Sequence, residues 1–175
     1  MEKYRKEIVP GMQEKFGMGN ALAVPRLDKI VVNMGVGEAI SDIKIMDKAV
    51  ADLTTITGQK PSLRKSKAAI SNFKLREGLP VGCKVTLRRN KMYEFLDRLI
   101  SAALPRIRDF NGVPRRSFDK EGNYSLGITD QAIFPEIELD REHRTQGMDI
   151  TFVFNHGPKE QTQELLRLFG MPFGR

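Results

Sequence analysis

Residues 82–89 read Gly82-Cys83-Lys84-Val85-Thr86-Leu87-Arg88-Arg89. Cys83, Val85 and Leu87 alternate with Lys84, Thr86 and Arg88. This period of two predicts a strand with one apolar face and one cationic, hydroxylic face. A sheet with one buried and one wet face is typically antiparallel. The period then changes. From Asn90 to Leu104, Met92, Phe95, Leu96, Leu99, Ile100, Ala103 and Leu104 form one helical stripe, with Asn90 placed to cap it and Pro105 to stop it. A half-wet strand running straight into an amphipathic helix points to helices packed on one face of a sheet.

The same reading extends outward. Upstream, Arg26–Val36 is a strand with Ile30, Val32 and Met34 on one face and Lys29, Val31 and Asn33 on the other. Gly35-Val36-Gly37 breaks it. Ser41–Thr57 is a helix with Met46, Ala49, Val50, Leu53 and Ile56 in register. Ser41 or Asp42 can cap its start and Gly58 its end. Pro61–Ser66 suits a short strand. Residues 67–81 have no period and contain Gly78 and Pro80, which predicts a long exposed loop; such loops are usually functional or mobile. Residues 2–16 carry apolar positions at Tyr4, Ile8, Met12 and Phe16, a helix that Pro10-Gly11 would kink or shorten. Downstream, Tyr124–Ile128 and Ile150–Phe154 read as strands. Pro158–Phe169 reads as a closing helix followed by Gly170. The order predicts an α+β chain with a mostly antiparallel sheet, taken as a single domain over residues 1–175.

The chain has 175 residues, 40% hydrophobic and 29% charged, a composition that excludes a disordered chain and suffices for one real core. No apolar run is long enough to span a bilayer, and the first residues lack the apolar core of a signal peptide. The single Cys83 excludes an intrachain disulfide and any CxxC site, and a reducing cytoplasm is the expected setting. The net charge of +7 is unevenly spread. Residues 58–91 hold ten cations and one acid, Glu77, a local charge of +9, while the remainder sums to −2. A concentrated basic stretch beside a near-neutral remainder is the footprint of a polyanion binder. Arg106, Arg108, Arg115 and Arg116 make a second, weaker basic stretch, and Glu136–Arg144 leans acidic.

Catalytic readings fail one by one. Gly35-Val36-Gly37 follows a strand, but the third glycine of a dinucleotide fingerprint would fall at Ile40. Gly58-Gln59-Lys60 lacks the rest of a phosphate loop. His143 and His156 have no ligand partner at helical spacing, so no metal and no cofactor is expected. Cys83 points to the apolar side of its strand, as a buried thiol does. Glu136, Glu138 and Asp140 alternate like charges that keep a strand edge soluble. A protein–protein adaptor using the Glu136–Arg144 edge is the alternative to an RNA binder.

Longer strings carry a resemblance. They are Val31–Ala39 (VVNMGVGEA), Leu53–Pro61 (LTTITGQKP), Ser71–Gly78 (SNFKLREG), Cys83–Arg88 (CKVTLR), Pro105–Phe110 (PRIRDF), Gly122–Gly127 (GNYSLG) and Phe134–Ile137 (FPEI). In order and over nearly the whole chain, they resemble the bacterial large-subunit ribosomal protein L five family, the universal 5S rRNA-binding family. Pro10 and Asn155–Pro158 depart from the pattern near the two ends.

The resemblance implies a curved antiparallel sheet with helices on its concave face, and no enzymatic activity. It implies 5S rRNA and 23S rRNA as partners in the central protuberance, beside other 5S rRNA-binding ribosomal proteins. It also implies contacts with the peptidyl-site tRNA and with a ribosomal protein of the small-subunit head, the chain being monomeric outside the ribosome. Asn33, Gln59 and Thr86 match the family's 5S rRNA surface. Met34, Gly35, Lys60, Lys84 and Arg88 join them as neighbours on the same predicted face or at the glycine break, where backbone can approach RNA closely. Singly, Asn33 would pass as a strand-end residue, Gln59 as a solvated helix terminus and Thr86 as β propensity. The loop Lys67–Gly82 resembles the family's tRNA-facing loop, with Lys67, Ser71, Asn72, Lys74, Arg76 and Gly78 as candidate tRNA or rRNA contacts. Arg108, Arg115, Arg116, Arg141 and Arg144 are the candidates for the intersubunit bridge.

Overall fold

A computed structural model describes residues 4–40, 42–137 and 145–174. The architecture is α+β, with four α-helices among the described residues and a five-stranded antiparallel sheet. In chain order the elements are α1 (Val9–Phe16), β1 (Leu27–Gly35), α2 (Ile43–Thr57), β2 (Ser62–Lys65), β3 (Pro80–Leu87), α3 (Arg89–Arg98), β4 (Tyr124–Ile128), β5 (Met148–Phe154) and α4 (Lys159–Phe169). The strand order is β2-β3-β1-β5-β4. The chain forms two compact units. One comprises Met1–Ile30, Leu87–Leu126 and Thr151–Arg175, the other Val31–Thr86 and Gly127–Ile150.

In the second unit, alternation decides what is buried. Val32 and Met34 of β1, and Cys83 and Val85 of β3, are buried, while Val31, Asn33, Lys84 and Thr86 are half-buried. Helix α2 covers the apolar face with Met46, Ala49, Leu53 and Ile56. The Cys83 thiol lies 3.9 Å from the Ala49 carbonyl oxygen, where β3 packs against α2. Asp42 caps α2 by accepting from the Lys44 N–H at 2.9 Å, and Gly58 ends it with φ of 63°. Of the two expected caps, Ser41 lies outside the described residues. Gly82 is dictated by strand spacing: a Cβ there would sit 2.6 Å from the Met34 carbonyl oxygen.

In the first unit, Tyr124, Leu126, Phe152 and Phe154 alternate into the core of β4 and β5. The Tyr124 ring meets Phe118, Phe152 and Phe173, and its hydroxyl donates to the Pro114 carbonyl at 2.9 Å. Burial pushes that phenol up to about 12. Helices α1 and α4 are tied by Lys15 Nζ–Glu164 Oε2 at 2.8 Å.

Several boundaries differ from the sequence reading. The strand expected over 82–89 runs from Pro80 to Leu87, and Arg88 lies beyond it as the residue before α3. Asn90 does not cap α3; Arg89 turns the chain with φ of 53°, and no side chain caps the start. The expected single helix to Leu104 is α-helical to Arg98, then a π-helical turn Leu99–Ala103 and a 3-10 turn Leu104–Arg106 holding Pro105. Its stripe is nevertheless buried as expected, apart from half-buried Ile100. The first helix splits likewise. A π-helical turn Tyr4–Ile8 runs directly into α1, whose first turn holds Pro10, so the irregularity expected of Pro10-Gly11 falls just before the proline. Glu136 is half-buried outside any strand, so the alternating strand edge is absent there. Glu138, Asp140, Arg141, His143 and Arg144 lie outside the described residues.

Candidate nucleic-acid interface

The basic stretch belongs mostly to the second unit, where β2 and β3 pair antiparallel. Ser62 pairs with Lys84, Leu63 with Cys83 and Arg64 with Gly82, and the register shifts before Lys65 meets Pro80. All four residues of β2 are exposed, as suits an edge strand, and its Arg64 and Lys65 guard that edge with charge. Lys60, Arg64, Lys65, Lys67, Lys74, Arg76 and Lys84 form no ion pair among the described residues. The mutual repulsion of these seven cations is relieved when an anion shares the surface.

The end of α2 delivers Gln59 to β3. After the left-handed Gly58, the Gln59 amide donates to the Thr86 carbonyl at 3.4 Å. The buried Thr57 hydroxyl lies 2.6 Å from the Leu53 carbonyl oxygen and 3.1 Å from that of Gln59, which holds this turn in place. Gln59 and Thr86 are therefore brought together although 27 residues separate them. Lys60 follows Gln59 and is exposed. On the neighbouring strand, Asn33 shares the half-buried face with Lys84 and Thr86.

Met34 does not belong to this surface. Its side chain is 0% exposed and packs in the core, so its place among the expected contacts is corrected. The strand period turns Met34 inward whenever Asn33 turns outward. Gly35 is exposed, and a Cβ there would meet nothing, so this backbone is open to close approach. Its carbonyl already accepts from the Gln146 amide at 2.9 Å. Arg88 belongs to the first unit and pairs with Asp28 at 3.0 Å. It remains half exposed and holds that carboxylate rather than standing free.

The segment between β2 and β3 is exposed at Lys67, Ser71, Asn72, Lys74, Arg76 and Gly78, as expected of a loop. It is not shapeless. The Ser66 N–H donates to the Leu79 carbonyl at 2.8 Å, and the Ile70 and Leu75 backbones exchange two bonds around a 3-10 turn at Ser71–Phe73. The sequence reading missed Phe73 and Ile70 here, which are 70% and 43% exposed. A lone aromatic in a cationic, aperiodic segment was the available signal.

In the first unit, Arg108, Arg115 and Arg116 are exposed. Arg108 reaches Asp109 at 3.7 Å with both side chains almost fully in water, a pair of negligible strength. Arg141 and Arg144 lie outside the described residues. The one thiol is inert: burial, with a smaller push from Asp52, raises Cys83 to about 11, so the thiolate needed for nucleophilic chemistry is scarce at neutral pH.

A rigid sheet face with a cationic edge and a structured basic loop defines a polyanion-facing α+β protein. The comparisons with known proteins make that class specific. The family model described as Ribosomal protein L5 matches residues 20–76, and the model of the ribosomal L5 family C-terminus matches residues 80–173. Large ribosomal subunit protein uL5 of Clostridium kluyveri is 58% identical over 174 residues, covering 99% of this chain and 96% of that protein. The proteins of the same name from Clostridium beijerinckii and Clostridium acetobutylicum are 57% and 55% identical, each covering 99% of this chain and 97% of the relative. The chain belongs to the ribosomal protein L5 family. It is a non-enzymatic structural constituent of the large subunit of the cytoplasmic ribosome and acts in translation, with ribosomal RNA and ribosomal proteins as partners.

Proposed function

We propose that this chain binds 5S rRNA through the face formed by Asn33, Gly35, Gln59, Lys60, Lys84 and Thr86, and so attaches that RNA in the central protuberance. The observation that carries the reading is the bond from the Gln59 amide to the Thr86 backbone carbonyl, which sets a polar side chain from a helix end against β3 beside unpaired lysines. Lysines on such a face can neutralise phosphates, while amide and hydroxyl groups can meet ribose 2′-OH groups, the means by which structured RNA is read by shape. Arg88, whose side chain stays half exposed beside Asp28, is a further candidate contact carried by the other unit. Residues 1–175 act in this reading as one functional domain, monomeric before assembly, with 23S rRNA and the other 5S rRNA-binding ribosomal proteins as neighbours.

The 66–79 loop faces the peptidyl-site tRNA through Lys67, Ser71, Asn72, Lys74, Arg76 and Gly78. Its contacts are electrostatic and independent of sequence, as a site that accepts every tRNA requires. Arg108, Arg115, Arg116, Arg141 and Arg144 serve the contact with the small-subunit head protein.

The test is a titration of labelled 5S rRNA with the full chain at several salt concentrations. Binding weakens with a log–log slope of about −0.7 to −0.9 per phosphate contact. A flat salt response, or equal affinity for an unrelated hairpin RNA, contradicts the reading.

A further inference from the structure

We propose that Phe73 is a stacking platform that the loop presents to an exposed base face of the peptidyl-site tRNA. The inference rests on the tRNA-facing reading of the loop and adds a residue and a mode of contact to it. Phe73 is the most exposed aromatic side chain among the described residues, at 70%, and Ile70 beside it in the same turn is 43% exposed. Around them stand the exposed cations Lys67, Lys74 and Arg76, with Glu77 the only acid of the segment. Cations alone would serve a phosphate backbone. An aromatic ring among them adds a surface that matches the π-face of a base.

The turn fixes the backbone that carries the ring. Ile70 and Leu75 exchange backbone bonds of 2.9 and 3.1 Å, the Phe73 N–H donates to the Ile70 carbonyl at 3.2 Å, and the Lys74 N–H donates to Ser71 at 2.9 Å. Lys74 itself takes φ of 52°, a left-handed conformation that a residue with a side chain rarely adopts. A phenylalanine has two side-chain torsions, so ordering it on binding costs less entropy than ordering a lysine. Stacking also tolerates any sequence, because every base has a π-face, and this suits a contact shared by all tRNAs.

The experiment uses ribosomes whose large subunits carry variants of the full chain, and measures the rate of tRNA release from the peptidyl site. Phe73→Ala and Phe73→Leu should each speed release about tenfold, with little dependence on salt, and Phe73→Trp should retain wild-type behaviour. Lys74→Ala with Arg76→Ala should speed release in a salt-dependent manner. If that double variant speeds release but both Phe73 variants do not, stacking is overturned and the tRNA-facing loop stands. If only Phe73→Ala acts and Phe73→Leu does not, the ring is apolar filler, and stacking is again overturned. If none of the variants changes release, the loop does not meet the tRNA and both readings fall. The chain has no tryptophan, so Phe73→Trp introduces its only indole. Quenching of that indole's fluorescence when the free Phe73→Trp chain is saturated with tRNA would support stacking; unchanged emission at saturation would oppose it.

Discussion

Lys84 and Lys74 stand ten residues apart and are held in opposite ways. Lys84 is half-buried on β3, paired with Ser62 of β2, over a face sealed by Cys83, Val85 and α2. Lys74 is exposed at the tip of a turn kept in shape by a few backbone bonds. The first lysine inherits its position from a hydrophobic core, the second from local geometry. A surface of the first kind can be complementary to one RNA shape, because core packing prevents it from adapting. A surface of the second kind suits a partner whose identity varies.

The sharpest way to break this contrast is to remove the core under the strand. Leu53→Ala deletes a fully buried side chain of α2 and should cost about 2–5 kcal/mol, read as a lower urea midpoint, with 5S rRNA binding lost alongside. Next, Thr86→Glu places a carboxylate on the half-buried face while Val85 and Leu87 stay inside. It should leave the urea midpoint nearly unchanged and weaken 5S rRNA binding by at least about tenfold, since like charges brought together cost of the order of a kcal/mol or more. Equal loss of structure in the two variants would show that Thr86 is part of the core.

The loop should respond differently. Lys74→Ala with Arg76→Ala should move stability by less than about 0.5 kcal/mol and lower the salt slope of tRNA binding by about two. The last effect is confined to alkaline pH and is absent at neutrality. Burial holds Cys83 protonated in the folded chain up to about 11, while the unfolded thiol ionises near its ordinary value of 9.0. The unfolded state then binds fewer protons above pH 9, so stability falls as pH rises between 9 and 11. Cys83→Ala should make the alkaline urea midpoint less sensitive to pH, and the loop variants should not.

The elements that the sequence made legible are those whose period is enforced by burial. The alternation of β3 and the stripe of α2 were readable because every second or every third-to-fourth residue must avoid water. The start of α3 was not, because Arg89 takes a positive φ that no side-chain pattern announces. Met34 shows a different failure. The period already placed it with Ile30 and Val32 in the core, and its neighbours' glycines drew it into the site. The strand order and the Gln59–Thr86 contact depend on residues distant in the chain, and no local pattern encodes them. Phe73 was legible only from its surroundings, a lone aromatic in a cationic segment with no burial period, and that signal was passed over.

The central claim is that the strand face, and not the loop, grips 5S rRNA. Its most direct test is parallel titration of labelled 5S rRNA with the wild-type chain, Thr86→Glu, and Lys74→Ala with Arg76→Ala, at two salt concentrations. The expected result is a loss of at least about tenfold for the strand variant and wild-type affinity for the loop variant. Wild-type affinity for Thr86→Glu together with weakened binding by the loop variant would contradict it.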